Sequence, residues 1–203
     1  MFIGGGPYYL APYGDISTLL VETPLIKNPV STAPVYMEGE PSHEYFIGVR
    51  SIKVDGTVVH FNTSLLSINK GGVGGTKIST ITPYTVMHTS IYKALINNFA
   101  KNACGSSKTI ASARTGPVVP TIDLMLQGKS SRRNYGTNSM VKMKEDVMCL
   151  AIIDGGAEPR TSIVMDGLQL EENLFEFDLA SSKLGFSSSL LLKNTSCSQQ
   201  RLV

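Results

Sequence analysis

Few residues of this 203-residue chain have the type and spacing that catalysis or metal binding would need. The histidines His43, His60 and His88 lack the spacing of metal ligands, so each is expected at the surface or in the core. Cys104 has no sequence context of a reactive thiol, and no G-x-S-x-G turn offers a nucleophilic serine. The sequence therefore predicts no metal site and no cofactor.

A glycine-rich segment at residues 71–77 superficially resembles a phosphate-binding loop. Such a loop needs Gly directly before its Lys and Ser or Thr after it, because backbone amides and the amine must converge on phosphate. Here Thr76 precedes Lys77 and Ile78 follows it. A phosphate site is therefore not expected.

Sequons and cysteines carry information about the cellular compartment. Asn62 and Asn194 each begin an Asn-X-Ser/Thr triplet, the acceptor for N-glycosylation. Cys104, Cys149 and Cys197 are widely spaced, and their odd number leaves one thiol without a partner in the chain. A fragment of a disulfide-bonded secreted protein would have this pattern, and so would three reduced buried thiols. The N-terminus, by contrast, lacks the basic and apolar stretches of a signal peptide.

The composition is that of a folded, β-rich chain. Hydrophobic residues make up 42% and charged residues 17%, whereas a disordered chain carries more charge. The net charge is +2, and basic residues are scattered apart from Arg132-Arg133, for which a solvated loop is expected. No nucleic-acid surface is indicated. No apolar run approaches the roughly 20 residues that span a bilayer, so no membrane partner is expected.

The elements that position these residues are predicted to be short strands. Asp55-Gly56 separates two β-branched and aromatic runs, and this pair favours a two-residue hairpin because both positions need positive φ. Residues 89–101 have apolar side chains at helical spacing, with Thr89 or Ser90 as the cap. Further short apolar runs occupy residues 121–126, 147–153, 162–165, 174–179 and 184–186. Many short strands with one short helix indicate an all-β fold.

Residues 74–86 carry a resemblance to a known family. The segment GGTKISTITPYTV resembles GGTIIDSGTT in the C-terminal lobe of plant pepsin-like aspartic peptidases, which is likewise followed by an apolar strand and a helix beginning near a Tyr. The two segments align without a gap. The family's catalytic Asp falls on Ser79, and its DSG turn becomes Ser79-Thr80-Ile81.

The whole chain resembles the catalytically inactive plant members of this group, which include extracellular dermal glycoproteins, xyloglucan-specific endoglucanase inhibitor proteins, xylanase inhibitors and basic globulins. Matching phrases occur at residues 4–8, 23–29, 44–49, 62–66, 119–124 and 184–187. The resemblance implies an all-β fold with one or two short helices, the C-terminal lobe of a pepsin-like acid-protease β-barrel. Residues 1–42 would form the interlobe strand and an extended lead-in, and residues 43–203 the lobe, with the N-terminal lobe absent.

The resemblance further implies a pseudo-peptidase. Pepsin-like catalysis needs two carboxylates, one from each lobe, which share a proton and activate water. Ser79 stays neutral and supplies neither the charge nor a general base. Two alternatives remain open: an aspartic endopeptidase lobe that is active only with a separate N-terminal lobe, and a storage or hormone-binding globulin.

By resemblance, the expected function is inhibition of microbial cell-wall glycoside hydrolases (xyloglucanase or xylanase) in plant defence, by a protein secreted to the apoplast or cell wall. Family inhibitors present cations from lobe loops to the two hydrolase carboxylates. The candidates here are Arg114 and Lys193, although both equally fit solvated surface cations. Lys193 stands where the endoglucanase-inhibiting group often has Arg. Cys104 is expected to pair with Cys149, which leaves Cys197 for a partner outside the chain, such as the N-terminal lobe.

Two departures from the family pattern fall on segments that are normally apolar or glycine-lined. Residues 127–134 replace a segment that normally carries the apolar and Trp residues of a strand. Met165-Asp166-Gly167 stands where Ile-Gly-Gly is usual. Because a buried, unpaired carboxylate is costly, Asp166 is expected to be solvated, paired or protonated.

Overall fold

The computed structural model describes residues 6–10, 13–30, 44–103, 112–145 and 147–197. Strands dominate this part of the chain and most of its helices are single turns, which confirms the all-β prediction. The strands are β1 (Tyr9–Leu10), β2 (Gly14–Asp15), β3 (Val21–Ile26), β4 (Tyr45–Ile47), β5 (Val49–Val54), β6 (Thr57–Val58), β7 (Thr76–Ile78), β8 (Thr85–Met87), β9 (Ser112–Ala113), β10 (Gly116–Pro117), β11 (Ile122–Leu126), β12 (Ser131–Asn134), β13 (Met140–Lys144), β14 (Val147–Leu150), β15 (Ile152–Asp154), β16 (Ile163–Met165), β17 (Phe175–Asp178) and β18 (Lys183–Phe186). The α-helices are α1 (Thr89–Ala103), α2 (Gly136–Ser139) and α3 (Gly167–Leu170), and 3-10 turns lie at Ser17–Leu19, Thr63–Leu66, Gln127–Lys129 and Leu190–Lys193.

An eight-stranded sheet joins the beginning of the described chain to its end. Its order is β15-β8-β16-β7-β4-β3-β18-β17, so that β3 lies between β4 and β18. β16 runs parallel to β7, with Ile78 opposite Met165. Because parallel strands end at the same edge, the residues that follow, Ser79 and Asp166, are brought close together. The boundary between residues 42 and 43 stays a prediction.

A four-stranded sheet of order β12-β11-β5-β6 shares one hydrophobic core with the eight-stranded sheet. Ile52 and Leu124 enter the core from the smaller sheet, and Ile163 and Leu184 enter it from the larger one. Each is at most 2% exposed. Burial of one such side chain contributes about 1.5–3 kcal/mol of transfer free energy. A second, smaller cluster joins Tyr8, Ile16 and Leu190, and so ties the first described residues to the last turn.

Helix α1 confirms the amphipathic prediction and extends it to Ala103. Its buried residues, Ile91, Leu95 and Phe99, repeat at intervals of four. The cap differs from the expectation of Thr89 or Ser90. The Nδ1 atom of His88 accepts a hydrogen bond from the Ser90 backbone N–H at 3.0 Å. None of the described helices is long and apolar enough to cross a membrane.

The hairpin between β5 and β6 confirms the turn prediction. Asp55 and Gly56 have φ angles of 46° and 80°, which only Gly and short polar residues adopt readily. The Asp55 carboxylate also accepts a hydrogen bond from the Thr121 backbone N–H at 2.7 Å. The turn therefore fixes both the β5–β6 register and the start of β11.

The solvated loop expected at Arg132-Arg133 is wrong. Both residues lie on β12, which pairs with β11, and alternate residues of this strand are buried. Arg132 points inward and is 2% exposed, whereas Arg133 forms a two-bond ion pair with Asp123. Successive side chains of a strand point to opposite faces, and in β12 the face that carries Arg132 is the buried one.

Candidate functional site

The turn that follows β7 contains Ser79, at the position where the resemblance places a catalytic carboxylate. The Ser79 backbone N–H donates to the Met165 carbonyl at 2.8 Å, across the β7–β16 pair. The Ser79 Oγ atom accepts from the Ile81 N–H at 3.2 Å. The hydroxyl therefore closes a local turn. A neutral hydroxyl used in this way provides neither a charge nor a base.

Asp166 supplies a carboxylate beside this turn from the opposite strand. It is 2% exposed. Its Oδ1 atom accepts from the Thr82 backbone N–H at 3.1 Å, and its Oδ2 atom accepts from the Thr82 hydroxyl at 2.6 Å. Of the three outcomes expected for this carboxylate, solvation is therefore wrong, and in place of an ion pair with a described residue the structure shows hydrogen bonds from Thr82. Both oxygens are committed to Thr82, so the carboxylate braces the turn and is not presented to solvent.

A buried polar network continues from Asp166 into the interior. The Asp166 backbone N–H donates to the Thr85 hydroxyl at 3.3 Å, and that hydroxyl donates to the side-chain carbonyl of Gln169. The Gln169 amide donates to the Asn138 carbonyl at 3.1 Å, and the Asn138 amide donates to the Glu171 carbonyl at 2.9 Å. Sequence reasoning missed this network. The available signal was the polar residues inside the short helices α2 and α3.

The apex of the turn is apolar and fully presented to solvent. Ile81 is 89% exposed, and its neighbours Thr80, Thr82 and Pro83 are exposed as well. The resemblance would place Gly at residue 81, so the exposed Ile81 side chain is a second departure of this turn from the family motif, beside Ser79.

The glycine-rich segment has no amide available for a phosphate. The five successive N–H groups of residues 71–75 all donate to protein oxygens, which belong to the side chain and carbonyl of Asn69 and to the carbonyls of Arg160 and Leu65. Phosphate loops bind their ligand through such amides. This geometry agrees with the rejection of a phosphate site from the sequence.

Arg114 lies in the turn of the β9–β10 hairpin and is exposed. The hairpin rests on α2: Gly116 has φ 89°, and a Cβ there would approach the Thr137 nitrogen to 2.5 Å. The Thr137 N–H also donates to the Thr115 carbonyl at 2.8 Å. The guanidinium of Arg114 is therefore carried on a hairpin turn that packs against α2. Its role as an inhibitor contact stays a prediction.

Lys193 ends the 3-10 turn Leu190–Lys193, far in sequence from its partner Tyr13. Its ammonium lies 5.4 Å from the centre of the Tyr13 ring, and the Tyr13 hydroxyl donates to the Lys193 carbonyl. Cation–π contacts of this kind orient an ammonium. The sequence did not indicate this partner, and the inhibitory role of Lys193 also stays a prediction.

The two sequons differ in local structure. Asn62 is exposed, and its Oδ1 atom accepts from the Ser64 N–H at 3.1 Å and from the Ser64 hydroxyl at 2.8 Å. Asn194 is also exposed, but it has φ 56° and is followed by Thr195, which is 4% exposed. Glycosylation of either asparagine stays a prediction.

The disulfide expected between Cys104 and Cys149 cannot be placed, because Cys104 lies outside the described residues. Cys149 and Cys197 are exposed, and neither has a disulfide partner within the described ranges. The pairing, and an external partner for Cys197, stay predictions. Among the histidines, His43 lies outside the described residues, and within those residues no group of three or more possible ligands for a metal ion occurs.

The fold defines the class of protein, the C-terminal lobe of a pepsin-like structure. The chain superposes on the crystal structure of edgp with a TM-score of 0.91 and 48% identity, over 97% of this chain and 52% of that one. The protein belongs to the xylanase inhibitor C-terminal family, whose pattern matches residues 44–188.

Two relatives extend the comparison. The chain is 50% identical to the probable aspartic proteinase GIP2 of Nicotiana benthamiana, over 97% of this chain and 48% of that protein. It is 39% identical to gamma conglutin 1 of Prunus dulcis, over 97% of this chain and 45% of that protein. The chain thus spans about half the length of these relatives. It is a member of a plant aspartic-proteinase-like family.

Proposed function

We propose that this protein is a secreted, non-catalytic member of its family that binds and inhibits a microbial cell-wall glycoside hydrolase in plant defence. The observation that carries the proposal is the turn after β7. Ser79 closes this turn with its hydroxyl, and the adjacent carboxylate of Asp166 is buried against Thr82. Because this turn presents no free carboxylate to activate water, the lobe is suited to binding rather than to proteolysis.

The chemistry of glycoside hydrolases indicates which surface would bind. Their clefts contain two carboxylates, to which a cation on a supported loop is complementary. Arg114 stands on a hairpin anchored to α2, and Lys193 is held over Tyr13. The family description, xylanase inhibitor, supports the same class of partner.

The test is inhibition of a fungal xyloglucanase and a fungal xylanase by micromolar purified protein. We expect hydrolysis by at least one enzyme to fall. Arg114→Ala should raise the inhibition constant at least about tenfold, because truncating a buried charge pair costs roughly 2–5 kcal/mol. Lys193→Arg should lower it, because a guanidinium can bind a carboxylate through two hydrogen bonds.

Lys142→Ala is the matched control, because Lys142 is an exposed cation on β13, outside both loops. It should leave inhibition unchanged. Unchanged hydrolysis by both enzymes would contradict the proposal. Equal effects of the Arg114 and Lys142 variants would contradict the assignment of the contact surface.

A further inference from the structure

The ammonium of Lys193 has no carboxylate partner among the described residues. The ion pairs within those residues join Lys77 to Glu44, Arg133 to Asp123 and Lys183 to Glu22. The Lys193 Nζ atom instead lies 5.4 Å from the centre of the Tyr13 ring. A ring face attracts an ammonium but does not neutralise its charge. Lys193 therefore keeps a positive charge that can pair with a carboxylate of another protein.

Tyr13 contacts both the side chain and the backbone of Lys193. Besides the ring contact, the Tyr13 hydroxyl donates a hydrogen bond to the Lys193 carbonyl. Lys193 ends the 3-10 turn Leu190–Lys193, and Asn194 after it has φ 56°. One tyrosine thus fixes the backbone at the end of this turn and the direction in which the ammonium points.

A buried cluster keeps the two partners close to each other. It contains Ile16 and Leu190, which are 1% and 2% exposed and stand three residues from Tyr13 and Lys193, respectively. On the Tyr13 side, the Ile16 N–H donates to the carbonyl of Tyr8 at 2.8 Å, and Tyr8 belongs to the same cluster. The contact therefore joins two anchored segments that are 180 residues apart in the chain.

We propose that Tyr13 is the positioning residue of the Lys193 contact, with its ring holding the ammonium in the direction of a hydrolase carboxylate. The inference rests on the proposed function and gives the β1–β2 hairpin a supporting role in it. A free lysine side chain loses much rotamer freedom when it is fixed in a complex. An ammonium that a ring already holds loses less of that freedom on binding, which favours association.

The contact itself is tested on the full chain in the absence of any hydrolase. The probe is the ε-methylene signal of Lys193 in a proton–carbon correlation NMR spectrum, and Lys193→Met identifies this signal by its loss. Because protons over the face of an aromatic ring are shielded, the signal should lie upfield of the other lysine signals in the wild type. Tyr13→Leu should abolish the upfield shift, whereas Tyr13→Phe, which keeps the ring, should retain it.

The role in inhibition is tested with the same fungal xyloglucanase and xylanase. Tyr13→Leu should raise the inhibition constant about three- to fivefold, in the range expected for one cation–π contact at an exposed site. Tyr13→Phe should stay within about twofold of the wild type. In a Lys193→Met background, Tyr13→Leu should have no further effect, because a positioning residue acts only through the residue that it positions.

Tyr9→Leu is the matched control, because Tyr9 is a tyrosine of the same hairpin, 68% exposed, whose ring and hydroxyl make neither of these contacts. It should change neither the Lys193 signal nor inhibition. An unshifted Lys193 signal in the wild type would overturn the inference. Equal effects of Tyr13→Leu in the wild-type and Lys193→Met backgrounds, or equal losses of inhibition for Tyr13→Phe and Tyr13→Leu, would overturn it as well.

The two arms separate a failure of this inference from a failure of the proposed function. A wild type that shows the upfield shift but inhibits neither enzyme would overturn the proposed function, and with it the use of the contact in inhibition, while confirming the contact. Inhibition that depends on Lys193 but not on Tyr13 would overturn the positioning role alone.

Discussion

Arg132 and Arg133 show how one position along a strand changes the environment of the same residue type. Arg132 is buried, and its guanidinium carbon lies 4.9 Å from the centre of the Phe175 ring. The guanidinium donates to the Gln169 carbonyl and, at 3.3 Å, to the Asn173 side-chain oxygen, whereas its Nε atom has no hydrogen-bond partner among the described residues. Burial lowers the pKa of Arg132 to about 10. Arg133 bonds both oxygens of the buried Asp123 carboxylate, at 2.7 and 2.9 Å, and this partner raises the pKa of Arg133.

Substitution of each arginine by Met should therefore change stability to different extents. Arg132→Met removes a desolvated charge without a carboxylate partner, but it also removes the hydrogen bonds to the Gln169 carbonyl and the Asn173 side chain, so the two effects oppose each other and the free energy of unfolding should change by less than about 1 kcal/mol. Arg133→Met leaves the Asp123 carboxylate buried and unpaired, and should lower it by about 2 kcal/mol. Urea unfolding measures both. A larger loss for Arg132→Met than for Arg133→Met would contradict this interpretation.

At the scale of elements, the main side-chain support of the turn at residues 79–83 comes from Asp166, the residue that follows β16. Ser79 contributes one side-chain bond, at 3.2 Å, to its exposed neighbour Ile81. Asp166, which follows β16, contributes two bonds to Thr82, and one of these is 2.6 Å long. Asp166, which stands where the resemblance expects a glycine, therefore supports the turn through these two bonds.

Asp166→Ala should loosen the turn, whereas Ser79→Ala should not. Loss of two charge-assisted bonds should lower the free energy of unfolding by about 2 kcal/mol, and should speed hydrogen exchange at residues 79–84. Ser79→Ala removes a single bond to an exposed amide and should cost less than about 1 kcal/mol. Faster exchange in the Ser79 variant than in the Asp166 variant would show that the hydroxyl is the main support.

At the scale of the whole molecule, pepsin-like chemistry needs carboxylates from two lobes, and this chain matches about half of each compared relative. Its edge strand β17 and the apex residue Ile81 expose apolar side chains, with Phe177 at 38% and Ile81 at 89%. Single exposed apolar side chains are common on protein surfaces and do not by themselves mark an interface. Binding as the activity of this chain therefore stays the proposal made above.

The chain should not cleave peptides at acid pH, and Ser79→Asp alone should not create such activity. The variant would supply one carboxylate, without the second one that shares its proton. Incubation of both proteins with a peptide library at pH 3–5, with and without pepstatin, measures this. Pepstatin-sensitive cleavage by the wild type would contradict the pseudo-peptidase assignment.

Local rules explain which features could be predicted from the sequence. The Asp55-Gly56 hairpin and helix α1 depend on residues within a few positions of one another, whereas the place of Ser79 was expected from the resemblance to pepsin-like lobes. The missed features depend on distant partners: Thr82 and Asp166 are 84 residues apart, and Tyr13 and Lys193 are 180 apart. Whether Arg132 is buried likewise depends on which face of β12 meets the core, and composition does not reveal that.

The pairing of β3 with β18 has a consequence for the order of folding during synthesis. Glu22 lies opposite Gly185, and Glu22 also pairs with Lys183 at 2.7 Å, 161 residues away in the chain. During synthesis β3 therefore leaves the ribosome long before β18 has been made. Until then, one edge of β3 has no partner strand. Pairings of such long sequence separation are slow to form and leave strands exposed to aggregation. We expect this protein to depend on chaperones until residue 186 has left the ribosome.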